Sequence, residues 1–331
     1  MRILNADTLA SHGNRRGREA MVEILEAGLQ AADPYYNTLK LFRREGSRLT
    51  VGNPDFEPSD APRSGNEVID LDSVGKILVV GAAKGVQRIA RAIEEVLGDR
   101  LTGGHVIDKV GAEIGLERIG VTLGGHPVPD EGCVTGSQRI LRLLRDLRKD
   151  DLVFTIAGNG ISALLTLPTP DVTLEDVRET TRLMQIELGA PTKELNPIRN
   201  HLDLLKGGRI SRLIQPAKAI HILAVDPNRV SAGYGGYDHL MHHNLWLHTM
   251  PECSTFADAV ALLKKWDAWV KVPERVRVAV QEPERVLAPE RVPAQRVRVP
   301  AQRVRAPPAQ RVRVPLQRVQ RVRRQASVGL S

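Results

Sequence analysis

The sequence predicts an α/β fold: a Rossmann-like three-layer sandwich built on a mostly parallel sheet, followed by a tail with the composition of a disordered segment. Three observations carry this. Short apolar runs such as residues 76–81 and 152–156 are each followed by a glycine turn and a helix-periodic stretch, the βα alternation of a parallel sheet. Lys84, Ser162 and Asp226 each stand just past a strand end, where such sheets bind ligands. From Pro273 the chain changes to units such as Pro-Ala-Gln-Arg-Val-Arg, with no aromatic residue. The expected organisation is one α/β domain over residues 1–272 and a low-complexity basic tail over 273–331.

Taken in order, residues 15–32 place Met21, Ile24, Leu25 and Leu29 at helical spacing, and Asp33-Pro34 ends that amphipathic helix. Residues 38–51 predict a hairpin around Glu45-Gly46, and 53–66 a loop. Strand 76–81, turn 82–85 and helix 86–97 open the α/β pattern, with further strands at 104–110 and 119–123. The loop 124–130 is stiffened by two prolines, and Asp130 can cap a helix running on to residue 147. Strand 152–156 leads into Gly158-Asn159-Gly160 and a helix start at Ser162. A helix follows over 173–188, with Thr173 and Asp176 in capping-box spacing. Another helical segment lies within 192–205, ahead of Gly207-Gly208. A strand over 219–225 ends at Asp226, and Thr255 with Asp258 repeats the capping box at the start of helix 255–266.

Charge and cysteine usage exclude some functions. The chain carries +8 at pH 7, but the segment from Pro273 holds 14 Arg, no Lys and 4 Glu, so the body is close to neutral. The high pI therefore gives the body no reason to bind nucleic acid. Only the tail could meet RNA or an acidic surface, and it lacks the aromatic residues that would stack bases. Cys133 and Cys253 fit neither a disulfide framework nor a metal spacing, which suits a reducing compartment. There is no signal-peptide core and no run of membrane-spanning length, so the expectation is a cytoplasmic protein without a membrane partner.

The polar groups at strand ends point to anion chemistry. Gly158, Asn159 and Gly160 allow close backbone approach, and Ser162 adds a hydroxyl at a helix start, an arrangement suited to phosphate or carboxylate. Lys84 can reach such an anion as a point charge, although the Walker A spacing is absent. His126 and Asp130 sit on the proline-pinned loop and could line a cleft or simply bond backbone. Asn196 and Arg199 are three residues apart, so one helical face can present both. Lys206, ahead of two glycines, can make a phosphate-contacting turn or belong to a solvated basic face. Asp226 could hold Mg²⁺ with nucleotide phosphates or serve as a turn residue. His239, His242, His243 and His248 could form a metal face if helical.

Four of these motifs together resemble the N-terminal domain of the glycerate 2-kinase family (class II glycerate kinases). They are Gly81-Ala-Ala-Lys84, Gly125-His-Pro-Val-Pro-Asp130, Gly158-Asn-Gly-Ile-Ser-Ala-Leu164, and the run from Asn196 to Lys206-Gly-Gly-Arg209. The resemblance covers roughly residues 15–275. It implies ATP-dependent phosphorylation of glycerate to 2-phosphoglycerate, with Mg²⁺ and a small hydroxy acid as partner. Lys84 and Arg199 would be catalytic. Gly158, Asn159, Gly160, Ser162, His126, Asn196 and Lys206 would bind substrate or phosphate, and Asp226 would hold the metal. The chain departs from the family pattern in having Gly158-Asn159-Gly160 for Ser-Gly-Gly and Asp226-Pro227-Asn228 after the last strand. It also carries the Arg-rich tail where the family has a second, C-terminal (MOFRL) domain, so reduced activity belongs to this expectation. A non-catalytic binder of a small phosphorylated or carboxylated metabolite is the alternative. The sequence leaves the oligomeric state open, a homo-oligomer included.

Overall fold

Among the described residues five fully parallel strands form the central sheet, and the order in which they lie decides where a ligand can sit. The computed structural model describes residues 2–56, 65–224 and 245–281. Asp226, His239, His242, His243 and the tail beyond residue 281 lie outside the described residues. The strands are β4 (Ile77–Ala82), β5 (Gly103–Lys109), β6 (Ile119–Gly124), β7 (Leu152–Gly158) and β8 (Lys218–Ala224). Their spatial order is β6-β5-β4-β7-β8. The chain first winds outward from β4 through β5 to β6, then returns to place β7 on the other side of β4. Strand order reverses between β4 and β7, and in doubly wound sheets the crevice past the carboxyl ends at that reversal is the ligand site. The register Ala82↔Ala157 brings the turn after β4 beside the turn after β7.

The two faces of the sheet are covered differently. Along β4, Leu78, Val80 and Ala82 join one buried cluster while Ile77 and Val79 join another, the period-2 alternation of a strand covered on both sides. The first cluster is closed by α5 (Glu131–Leu143), α6 (Ile161–Leu164) and α9 (Arg209–Ile214). The second is closed by α4 (Val86–Leu97), whose Val86, Ile89, Ala90, Ile93 and Leu97 are all buried, and by an antiparallel three-stranded sheet. That sheet contains β1 (Phe42–Glu45), β2 (Arg48–Val51) and β3 (Glu67–Asp70). Arg44 of β1 donates to the carbonyl of Leu97 at 2.7 Å, so the hairpin caps the carboxyl end of α4. Phe154, fully buried at the centre of β7, packs edge-on against Phe42 with ring centroids 5.6 Å apart.

A third cluster is helical. It joins α7 (Leu174–Thr181), the π-helical turn Arg182–Glu187, α8 (Thr192–His201), α10 (Phe256–Lys265) and α11 (Glu274–Gln281). Both expected capping boxes form, at Thr173/Asp176 and Thr255/Asp258. Asp130 caps α5 by accepting from the Cys133 N–H at 3.1 Å.

Four expectations need correction. Residues 274–281, expected to belong to the tail from Pro273, are helical, because Val276, Ala279 and Val280 recur at i, i+3 and i+4 and bury against the third cluster. Helix 173–188 is regular only to Thr181 and continues as the π turn. Helix α5 ends at Leu143 instead of residue 147, and Asp146 adopts a left-handed φ of 59° just beyond it. The first long helix, α2 (Arg15–Ala31), forms as expected but buries no residue: Met21, Ile24, Leu25 and Leu29 are all exposed among the described residues. No described helix is long and apolar enough to cross a membrane.

Candidate active site

The turn after β7 is the centre of the site. Gly160 adopts φ +91°, a conformation that glycine takes without steric penalty, and it starts the single turn α6. The Asn159 carbonyl accepts from the Lys84 N–H at 2.8 Å, which ties this turn to the one after β4. The backbone N–H groups of Asn159, Gly160, Ile161 and Ser162 have no hydrogen-bond partner among the described residues. Successive free N–H groups around a left-handed residue form an anion-binding concavity.

The space above Gly160 is flanked by a lysine and a histidine. A Cβ there would meet Lys84 Cγ at 3.0 Å and His126 Cδ2 at 3.2 Å, so both side chains flank the turn. Burial, followed by the charges of Lys84, Arg199 and Lys109, holds His126 below its ordinary value and keeps it neutral near pH 7. The amino end of α4 is already occupied. Asp108, at the end of β5, accepts from the Gly85 N–H at 2.8 Å and from Gln87 Nε2 at 3.2 Å. The Gly81–Lys84 turn therefore offers its lysine side chain, and the free backbone donors belong to the neighbouring turn.

Beneath the turn lies a buried polar group. Ser162 Oγ is 3.2 Å from His248 Nε2, and His248 is 1% exposed. Burial first, then Lys206 and Arg199, hold His248 well below its ordinary pKa, so it is neutral. Arg199 is 5% exposed, and burial alone brings it down to about 10. Its Nη2 donates to Gln185 Oε1 at 3.0 Å. Among the described residues, three buried polar atoms here have no partner: Asn196 Oδ1, Arg199 Nε and His248 Nδ1. Unsatisfied buried polar groups are rare in folded proteins, and a cluster of them marks a place built for something to bind.

The structure thus brings together Lys84, His126, Gly160, Ser162 and Arg199, residues taken from separate motifs. It assigns Lys206 a different position from the expected phosphate-contacting turn. Its Nζ is completely buried, 2.5 Å from Asp203 Oδ2 and 3.1 Å from Thr166 Oγ1. Gly158 packs against Ala83 and Ala224, where a Cβ would meet theirs at 3.2 and 3.3 Å, so its role is close strand packing. His248 meets Ser162, while the other three histidines of the expected metal face lie outside the described residues. Among the described residues no group of three His, Cys, Asp or Glu side chains could hold a metal ion. Gln185 and Asp203 carry no sequence signal of their own. Their importance comes from the π turn and from the bend after α8.

Comparison with known proteins adds the relatives of this arrangement. The family model described as a domain of unknown function, DUF4147, matches residues 20–227. A glycerate 2-kinase of Pyrococcus horikoshii is 30% identical over 266 residues, covering 80% of this chain and 54% of its own. Among solved structures, a Pyrococcus horikoshii protein superposes with TM-score 0.65 at 29% identity, over 81% of this chain and 55% of that one. A glycerate kinase of Thermotoga maritima superposes with TM-score 0.52 at 30% identity, over 62% of this chain and 47% of that one. The chain spans about half the length of the relatives it matches.

Proposed function

The chain belongs to the DUF4147 family, and from that premise we propose that it is a glycerate-2-kinase-like phosphotransferase, taking a phosphoryl group from ATP to the 2-hydroxyl of glycerate. The observation that carries the reading is the concavity of N–H groups at residues 159–162, which have no partner among the described residues, with Lys84 and His126 flanking it. The charge of Arg199 also helps to hold His126 below its ordinary value. Relatives named glycerate 2-kinase and glycerate kinase support the substrate.

Phosphoryl transfer demands positioning and charge stabilisation more than covalent help from the protein. In this reading the turn at 159–162 holds the oxygens of the transferred phosphoryl group, and Lys84 stabilises the charge that builds on them. Arg199 pairs with an anionic group of the substrate. As the hydroxyl oxygen of glycerate bonds to phosphorus, the bond from phosphorus to the ADP oxygen breaks. The hydroxyl proton passes to His126, which burial and the neighbouring cations keep neutral and able to accept it. Mg²⁺ travels with nucleotide phosphates. The near carboxylates do not fit a metal role, because Asp108 and Asp130 are engaged as helix caps, and Asp226 lies outside the described residues. No step is therefore routed through a metal.

The test is glycerate-dependent ADP release by the full chain with Mg-ATP, alongside Lys84→Ala. Turnover abolished by the substitution supports the kinase. Thermal stabilisation by glycerate or ATP without turnover favours a non-catalytic binder. The absence of both turnover and stabilisation overturns the site assignment.

A further inference from the structure

A buried guanidinium normally faces a carboxylate, because removing an unpaired charge from water is costly. Arg199 faces an amide. Its side chain is on α8, and the residue is 5% exposed. Nη2 donates to Gln185 Oε1 at 3.0 Å, while Nε is buried with no partner among the described residues. Among the described residues no carboxylate charge acts on it; burial lowers its pKa, which is unfavourable to the charged form. Asp203, four residues further along the chain, is paired with Lys206.

The amide is placed there by an irregularity. Gln185 lies in the π turn Arg182–Glu187 that follows α7, and the turn is itself pinned by Met184, which is fully buried in the helical cluster. One extra residue per turn rotates the side chains that follow, and such insertions recur at functional positions in helices.

We propose that Gln185 is a positioning residue for anion recognition: a neutral acceptor that aims the Arg199 guanidinium while leaving its positive charge uncompensated for an anionic oxygen of the substrate. The proposal rests on the kinase reading for the identity of that substrate. The oxygen belongs either to the carboxylate of the hydroxy acid or to a phosphate, and each has its own arm in the test. A glutamate at this position would accept the same hydrogen bond but would neutralise Arg199 internally. An amide partner forgoes that stabilisation and keeps the charge available.

The experiment compares full-length wild type, Gln185→Glu and Gln185→Ala. Thermal midpoints are recorded alone and with D-glycerate, inorganic phosphate or Mg-ATP, and steady-state kinetics with glycerate and ATP. In Gln185→Glu the unliganded midpoint should stay level or rise, while stabilisation by the cognate anion falls and its KM rises at least tenfold, with a smaller change in kcat. Gln185→Ala should lose aim without gaining internal pairing, so its KM rises with no rise in the unliganded midpoint. Loss confined to glycerate assigns the carboxylate, and loss confined to phosphate and ATP assigns the phosphate. A folded Gln185→Glu with wild-type KM and wild-type stabilisation by every anion overturns the proposal. Wild type that is stabilised by an anion but never turns over refutes the kinase reading alone, and the Gln185→Glu shift still decides this one. Wild type that is stabilised by no anion overturns both.

Discussion

Lys206 Nζ and Asp203 Oδ2 lie 2.5 Å apart with side chains only 1% and 3% exposed, an ion pair almost entirely inside the protein. The same carboxylate accepts from the N–H groups of Leu167 at 2.9 Å and Leu205 at 2.8 Å, so it joins the segment after α6 to the bend after α8. Removing one member of a buried pair strands the other charge. Lys206→Met should cost about 3–5 kcal/mol, read as a lowered urea midpoint at unchanged slope. A variant of native stability that had lost phosphate binding would instead return Lys206 to direct ligand contact.

Gly160→Ala tests the concavity directly. At φ +91° an added methyl group is strained, and it would press on Lys84 and His126 at 3.0 and 3.2 Å. The strain should cost about 1–2 kcal/mol. Because the added carbon enters the space above the free N–H groups, kcat/KM should fall at least tenfold. Native kcat/KM in the variant would place the transferred group elsewhere.

Asp108→Ala removes the cap at the amino end of α4. The side chain is 2% exposed, and its loss strands the N–H of Gly85, next to Lys84. The expected destabilisation is about 2 kcal/mol. Activity should fall as well, since the turn carrying Lys84 loses its fixed end. Denaturant titration and the ADP-release assay together check this.

Stability should decline on acidification well before the carboxylates titrate. Burial, then Arg139 and Arg142, bring His105 from 6.5 down to about 4, and its Nε2 lies 2.8 Å from Thr122 Oγ1. Below pH 6.5 the unfolded chain takes up a proton at this histidine that the folded chain refuses until about pH 4. Folding is therefore undiminished above 6.5 and loses up to about 3 kcal/mol between 6.5 and 4 from this residue. His201, His221 and His248 are lowered by burial too and act in the same direction. Urea midpoints from pH 7.5 to 4.5 should fall less steeply in His105→Gln, and an unchanged slope would contradict the assignment.

What the sequence made legible was local or periodic. The strands at β4 and β7 showed as apolar runs, the caps at Thr173 and Thr255 as a polar residue and its partner three positions on, and the cap at Asp130 as a carboxylate ending a proline-pinned loop. Of the site, the turn residues and Lys84 could be read because glycines after a strand have a backbone reason to be there. The approach of His248 to Ser162 could not be read, since it joins segments 86 residues apart through one hydrogen bond that leaves no periodic trace. The π turn was equally hidden, because residues 182–187 have ordinary helix composition and tertiary packing sets their register. Helix α11 was missed for the opposite reason: its valines form a helical stripe, but the proline- and arginine-rich composition around it masked three buried positions.

The strand order also dictates how the chain must acquire its shape. Central strand β4 has β5 on one side, reached early, but its other side is filled by β7, with Ile77 opposite Leu152. During synthesis, β4 keeps one long apolar edge unpaired until the segment ending at Gly158 has emerged. Such delayed long-range pairing slows folding and leaves an aggregation-prone edge on the nascent chain. Nascent chains halted between β6 and β7 should remain bound to chaperones and sensitive to protease, and those extended past residue 224 should lose both properties.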